Sequence, residues 1–138
     1  MLKKEQKTNI KVTANFSLSE LEFYDKIPVE LIPNAKFLLE QLQIIRDHFG
    51  RPITIISGYR SPSRNAAVGG KSKSVHMTGG AADIKVSGLS ASFVYAEIEK
   101  LIKSGKLYNG GLGVYPDFVH YDIRSEKLGY KPGARWQG

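Results

Sequence analysis

Residues 74–83 read Ser-Val-His-Met-Thr-Gly-Gly-Ala-Ala-Asp, with two glycines between a histidine and an aspartate. The glycine pair predicts a loop that turns back sharply, because glycine adopts backbone angles that other residues avoid. Residues 81–86 then predict a β-strand whose side chains alternate between two faces. Asp83 shares one face with Lys85, while the apolar side chains face the other way. The stretch therefore predicts a strand that carries a carboxylate, entered from a loop that carries His76.

A second stretch, residues 117–120, reads Asp-Phe-Val-His. It lies in a predicted hairpin whose strands are residues 111–115 and 118–123, with a Pro-Asp pair between them. Alternation along the second strand puts His120 on one face. If this strand lies beside the strand of Asp83, the carboxylate and the imidazole project side by side from the same face of a sheet.

The other apolar patterns predict helices, most of which come before the strands. Residues 34–49 repeat apolar side chains at intervals of three and four, and Gly50 ends that helix. Residues 90–104 show the same pattern. The shorter predicted elements are a helix opened at residues 16–20 by Ser17 and Glu20 at capping-box spacing, a strand at 53–56 and a helix at 63–68. The fold class is therefore α+β, a small antiparallel β-sheet with helices packed on it.

The length and composition indicate one globular domain. The chain has 138 residues, of which 41% are hydrophobic and 24% charged, an ordinary balance for a folded protein. No apolar run approaches the roughly 20 residues that span a membrane. Residues 1–8 are polar and basic, so we expect no signal peptide and synthesis in the cytoplasm. Any export would then need lysis or assembly into a larger particle such as a virion.

Charge and cysteine content narrow the chemistry. The chain has no cysteine, which excludes disulfides, thiolate catalysis and Cys-ligated zinc. The formal net charge is +7, which indicates either simple solubility or attraction to a polyanion such as a bacterial wall. We expect no specific nucleic-acid partner, because the basic residues are spread along the chain and no nucleic-acid-binding module is recognisable.

His76, Asp83 and His120 supply two imidazoles and one carboxylate. Catalytic zinc sites use such a set of three protein ligands and keep the fourth position open. Asp117, three residues before the last histidine, is a candidate general base. Arg60, after a predicted strand, is a candidate partner for a substrate carboxylate or an oxyanion. The alternatives are structural histidines, an aspartate that only forms a turn and an arginine that is a surface charge.

Three motifs carry a resemblance to a known family. They are Ser57-Gly-Tyr-Arg-Ser-Pro-Ser-Arg-Asn-Ala-Ala-Val-Gly-Gly70, Ser74-x-His76-x-x-Gly79-x-Ala81-x-Asp83 and Phe118-Val-His120-x-Asp122. From about Asn15 onward the chain resembles the D-alanyl-D-alanine carboxypeptidase family of zinc peptidases, in particular its short single-domain group often found in phages and prophages. The second motif is highly specific for this family.

The resemblance implies a role for each matching residue. It implies one zinc ion per chain, bound by the two imidazoles and the carboxylate of His76, Asp83 and His120. Asp117 occupies the family's acidic position and would be the general base. Arg60 would match the substrate or transition-state arginine, and Ser74 the serine that often contacts substrate. From the shared strand face we also infer that Asp122 orients a ligand histidine.

The resemblance further implies a peptidase that acts on the stem peptides of bacterial peptidoglycan. The bond would be that of a D-Ala-D-Ala carboxypeptidase or of an L-alanyl-D-glutamate endopeptidase. We expect a monomer with a basic N-terminal extension at residues 1–14 and the peptidase domain at residues 15–138. The family's fold is similar to the hedgehog signalling domain, so a zinc-containing domain with a binding role and no catalysis is the alternative.

Overall fold

A single five-stranded sheet organises the computed structural model, which describes all residues from Met1 to Gly138. The strands are β1 Ile53–Ser57, β2 Ala81–Val86, β3 Gly111–Val114, β4 Val119–Asp122 and β5 Arg135–Gln137. They lie in the order β1-β2-β4-β3-β5. The first four pair antiparallel, whereas β5 runs parallel to β3. The predicted α+β class is confirmed.

Three α-helices accompany the sheet: α1 Ile32–Phe49, α2 Pro62–Ala67 and α3 Ala91–Lys103. Helix α1 begins two residues before the predicted start. Pro33 is tolerated there because its missing N–H would have no partner in the first turn. The helix ends, as predicted, at Gly50, whose φ of 62° is in the left-handed region. Ser90 caps α3, because its hydroxyl accepts a hydrogen bond of 3.3 Å from the N–H of Phe93.

Short 3₁₀ turns replace two of the sequence-based assignments. The predicted short helix at residues 16–20 is a 3₁₀ turn, Leu18–Leu21, in which the Glu20 carboxylate accepts a 2.7 Å hydrogen bond from the N–H of Ser17. The predicted loop around His76 contains another 3₁₀ turn, Val75–Thr78, which Gly79 ends with a φ of 80°. His76 therefore lies in an ordered turn.

One hydrophobic core joins the sheet to the helices. The apolar side chains of β2, those of Ala82, Ile84 and Val86, are buried in the same cluster as side chains from α1 and α3. The opposite face of β2 carries Asp83, as alternation predicts. Burial of one face thus fixes which residues β2 presents on the other, because a shift of one residue would exchange the two faces.

Strand β5 was not predicted from the sequence. It has only three residues, too few for a recognisable alternating pattern, and it pairs with β3 across a large separation in sequence. Gly113 opposes Trp136 in this pairing, and a Cβ atom at Gly113 would overlap the indole ring. The glycine at position 113 therefore lets the backbone of β3 approach the indole of Trp136 closely. This contact joins residues that are distant in sequence, and it lies at the β5 edge of the sheet.

The N-terminal residues pack against the segment that follows them. Leu2 donates a 2.7 Å backbone hydrogen bond to Phe23, and the Thr8 hydroxyl donates one of 2.7 Å to the buried carboxylate of Glu22. The expected boundary between an extension at 1–14 and a domain at 15–138 stays a prediction. None of the helices combines the length and the apolar character needed to cross a membrane.

Candidate metal centre

Two neighbouring strands and one turn bring three potential metal ligands together. Asp83 on β2 and His120 on β4 are direct partners in the antiparallel pairing, and their side chains project from the same face. The distance from His120 Nδ1 to Asp83 Oδ1 is 3.0 Å, and that from His76 Nε2 to the same oxygen is 3.5 Å. The ligand atoms of the three residues all lie within 4.8 Å of one another. An ion between them would have two nitrogen ligands and one oxygen ligand.

Each imidazole is held by a second contact through its other nitrogen. His76 Nδ1 lies 2.7 Å from the carbonyl oxygen of Gly58. Because a carbonyl only accepts, Nδ1 carries a proton, and Nε2 is the nitrogen that faces Asp83. Gly58 packs so closely on Leu21 that a Cβ atom would overlap its backbone. The route of the chain around Gly58 thus determines which nitrogen of His76 faces Asp83.

Asp122 holds the second imidazole. Its Oδ2 lies 2.7 Å from His120 Nε2, so Nδ1 of the same ring is the nitrogen that faces Asp83. Asp122 is fully buried and also accepts hydrogen bonds from the N–H of Gly111 at 2.9 Å and from the guanidinium of Arg124 at 2.7 Å. This arrangement agrees with the inference that Asp122 orients a ligand histidine.

The electrostatics of the group favour an ionised carboxylate between the imidazoles. Burial raises the pKa of Asp83, but hydrogen bonds from His120 and His76 outweigh that effect and hold the pKa well below its ordinary value. Burial lowers the pKa of His120, yet its hydrogen bonds to Asp122 and Asp83 leave that pKa raised. The carboxylate of Asp83 is therefore ionised, and His120 would have to release a proton for a cation to bind at this point.

Arg60 and Ser74 lie on the wall of the same cavity, which measures about 380 Å³. Arg60 Nη2 donates a 3.2 Å hydrogen bond to the Ser74 hydroxyl, and the backbone N–H of Arg60 donates one of 3.1 Å to the carbonyl of His76. Burial lowers the pKa of Arg60, and the nearby charge of Asp83 opposes that effect. The Nε of Arg60 is buried with no hydrogen-bond partner. Because Nη2 donates to Ser74, Nη1 is the terminal nitrogen of the guanidinium that retains full donor capacity for a ligand.

Comparison with known protein families agrees with this arrangement. The family model described as Peptidase M15 matches residues 14–122. The chain belongs to the Peptidase M15 family. The matched range includes the three potential ligands as well as Arg60 and Ser74. Among curated proteins, no relative matches the chain. Membership of Peptidase M15 indicates a peptidase, and its zinc chemistry fits a site with two imidazoles and one carboxylate.

Asp117 is the one predicted site residue of this M15 chain that does not line the cavity of the potential ligands. The turn between β3 and β4 is closed as predicted, with a 3.0 Å hydrogen bond from the N–H of Tyr115 to Phe118. Within this turn Asp117 is exposed. It lines a separate cavity formed by β2 and the residues that precede α3, and it does not line the cavity of the potential ligands. Its assignment as the general base stays a prediction.

Sequence reasoning missed several residues of the M15 site. Trp136 packs on the ring of His120, with ring centroids 5.0 Å apart, and its Nε1 donates a 2.9 Å hydrogen bond to the Tyr115 hydroxyl. Arg124 lies over the same indole, 5.0 Å from its centroid. The sequence did contain a feature that singles out Trp136, since it is the only tryptophan of the chain. Its partner could not be identified without the pairing of β5 with β3.

Proposed function

We propose that the protein is a zinc-dependent peptidase that hydrolyses the stem peptides of bacterial peptidoglycan, with His76, Asp83 and His120 as metal ligands. One observation carries the proposal: three ligand atoms of the types that zinc prefers converge within 4.8 Å. The second contacts of both histidines support it, because ligand histidines commonly donate their other N–H to a carbonyl or a carboxylate.

The chain's own residues would bind and orient the substrate. The chemistry supplied by a zinc ion in such a site is Lewis acidity toward water and a peptide carbonyl. Arg60 would hold a carboxylate of the substrate, or the oxygen on which negative charge develops, through the terminal N–H groups that are not donated to Ser74. Ser74 would position that guanidinium through the hydrogen bond to Nη2 and contact the substrate itself.

The general base is the role with the weakest support. The resemblance assigns it to Asp117, which is exposed and lines a different cavity. A base must lie within hydrogen-bond distance of the proton it accepts, or reach it through one water molecule. The assignment of Asp117 therefore stays a prediction.

The proposal leaves two candidate scissile bonds and two routes to the cell wall. The bond is either that between two terminal D-alanines or that between L-alanine and D-glutamate, and the enzyme would act as a monomer through residues 15–138. Access to the wall would follow lysis or association with a virion. Attraction between a chain of net charge +7 and an anionic wall would favour the encounter.

Digestion of purified peptidoglycan tests the proposal. The full chain is incubated with the polymer in three states: as purified, after chelation and after zinc is added back. Released fragments are identified by mass spectrometry. We expect cleavage that is lost on chelation and restored by zinc, and the new termini identify the bond. His120→Ala should abolish cleavage, whereas His48→Ala, a histidine that lies on α1 and contacts Glu97, should not.

A second function, zinc-dependent binding without catalysis, is favoured by one observation. Apart from the proposed ligand Asp83, no carboxylate lines the cavity. A binding domain would retain zinc, bind stem peptides and release no fragment in the same digestion. Fragment release that depends on zinc excludes this alternative.

A further inference from the structure

The cavity of the proposed metal site is strongly cationic. Its lining includes four basic side chains, Arg60, Lys71, Lys73 and Arg124. Arg124 is neutralised by an ion pair of 2.7 Å with Asp122, but Arg60 and the two lysines form no ion pair. Three positive charges thus line the cavity without an ion-pair partner, and Asp83, which the proposed function assigns to the metal, is the only carboxylate-bearing side chain in the lining. Such an excess favours a negatively charged ligand.

The two lysines lie on a loop that is anchored at its base. The buried Asn65 of α2 accepts a 2.8 Å hydrogen bond from the N–H of Gly70 through its backbone carbonyl, and its side-chain amide donates one of 2.8 Å to the carbonyl of Lys71. The N–H of Ser74 donates a 3.0 Å hydrogen bond to the same carbonyl of Lys71. These contacts hold the backbone of residues 70–74 beside the cavity, while the lysine side chains remain exposed.

Arg60 and the lysines differ in what they are able to bind. Arg60 is half-buried and held by Ser74, so its guanidinium has one fixed position near the proposed ligands. The exposed lysines are long and have no partner, so they are able to follow a charge that lies further out. A ligand that satisfied both sets would carry more than one carboxylate, and one of them would lie toward the loop.

We infer that Lys71 and Lys73 make the enzyme selective for acidic peptides, in which a free carboxylate on the residue next to the scissile bond is bound by this loop. The inference rests on the proposed function, with the bond between L-alanine and D-glutamate as the one that is cleaved. In a stem peptide the candidate group is the free α-carboxylate of D-glutamate, which some peptidoglycans carry as an amide. A free carboxylate pairs with the lysines, and the neutral amide does not.

The test compares two synthetic stem peptides that differ only in this group, with a free or an amidated glutamate α-carboxylate. The zinc-loaded full chain is assayed for kcat and KM as wild type, as Lys71→Gln/Lys73→Gln and as the control Lys36→Gln/Lys106→Gln. The control removes the same charge from exposed positions that do not line the cavity. Exposed charge pairs are weak, so we expect amidation to raise KM about fivefold in the wild type and the control, with kcat little changed. The loop variant should show the raised KM with both peptides.

Equal KM values for the two peptides in the wild type would overturn the inference, and so would a loop variant that still discriminates between them. An effect seen on whole peptidoglycan but not on the short peptides would instead indicate general attraction to the wall polymer and would also overturn it. If the wild type cleaves neither peptide, the proposed function fails. Calorimetric binding of both peptides to the same three proteins then tests the preference for the free carboxylate separately.

Discussion

The two sides of the cavity are built differently. On the sheet side, Asp83 and His120 project from paired strands, lie largely buried and are each hydrogen-bonded to other side chains of the site. On the loop side, Arg60 has one side-chain hydrogen bond, and Lys71 and Lys73 have none. The sheet side carries negative charge and the loop side positive charge. Metal coordination needs fixed distances, which a sheet provides, whereas recognition of a charged peptide tolerates the movement of exposed side chains.

The largest expected effect follows from removal of a charge on the sheet side. Asp83→Asn keeps the shape of the side chain but replaces the anionic oxygen by a neutral amide, so we expect zinc content to fall from one ion per chain to none. Atomic emission after dialysis measures it. Asp47→Asn is the control, since Asp47 is exposed on α1. If Asp83→Asn bound zinc as the wild type does, the sheet side would not be a metal site.

The second largest effect, on zinc affinity, is expected when the hydrogen bond between His120 and Asp122 is weakened. Asp122→Asn weakens the acceptor that orients His120, and such outer contacts commonly contribute 10- to 100-fold to metal affinity, so we expect a loss of about that size. Competition with a chelating dye measures it. Thermal unfolding of the metal-free variant is needed as a control, because Asp122 also binds Arg124 and Gly111. Unchanged zinc affinity in a folded variant would limit Asp122 to a structural role.

A smaller effect is expected on the loop side. Arg60→Lys keeps the positive charge but loses the planar set of donors that binds a carboxylate in two places, so we expect KM to rise about tenfold with zinc content unchanged. Steady-state assays on a stem peptide measure it, beside Arg51→Lys as a control at an exposed position. Loss of zinc in Arg60→Lys would mean that the two sides are not independent.

The smallest effect is expected at Asp117, which belongs to neither side of the cavity. From its exposed position we expect Asp117→Asn to change kcat by less than about threefold, because a base must reach the reacting proton. Single-turnover cleavage of a stem peptide measures it. A loss of 100-fold or more with zinc retained would restore Asp117 as the base and imply that the β3–β4 turn moves when substrate binds.

The sheet side could be predicted from the sequence because its determinants are local. Alternation along β2 and β4 places Asp83 and His120 on one face, and the apolar periodicity of α1 and α3 identifies the helices that cover the other. The sequence could not predict which face of the sheet the Asp117 side chain lies on, because the alternation of side chains along a strand does not continue through a turn. Strand β5 and the contact of Trp136 with the site could not be predicted for another reason. A strand of three residues has no periodic pattern, and its contacts depend on residues distant in sequence.

The central claim is that His76, Asp83 and His120 bind one zinc ion. A crystal structure of the zinc-loaded protein, with anomalous data collected on both sides of the zinc absorption edge, tests it most directly. We expect one anomalous peak about 2.0–2.2 Å from His76 Nε2, Asp83 Oδ1 and His120 Nδ1. A peak bound elsewhere, or none at these three atoms in a protein that contains zinc, would contradict the account.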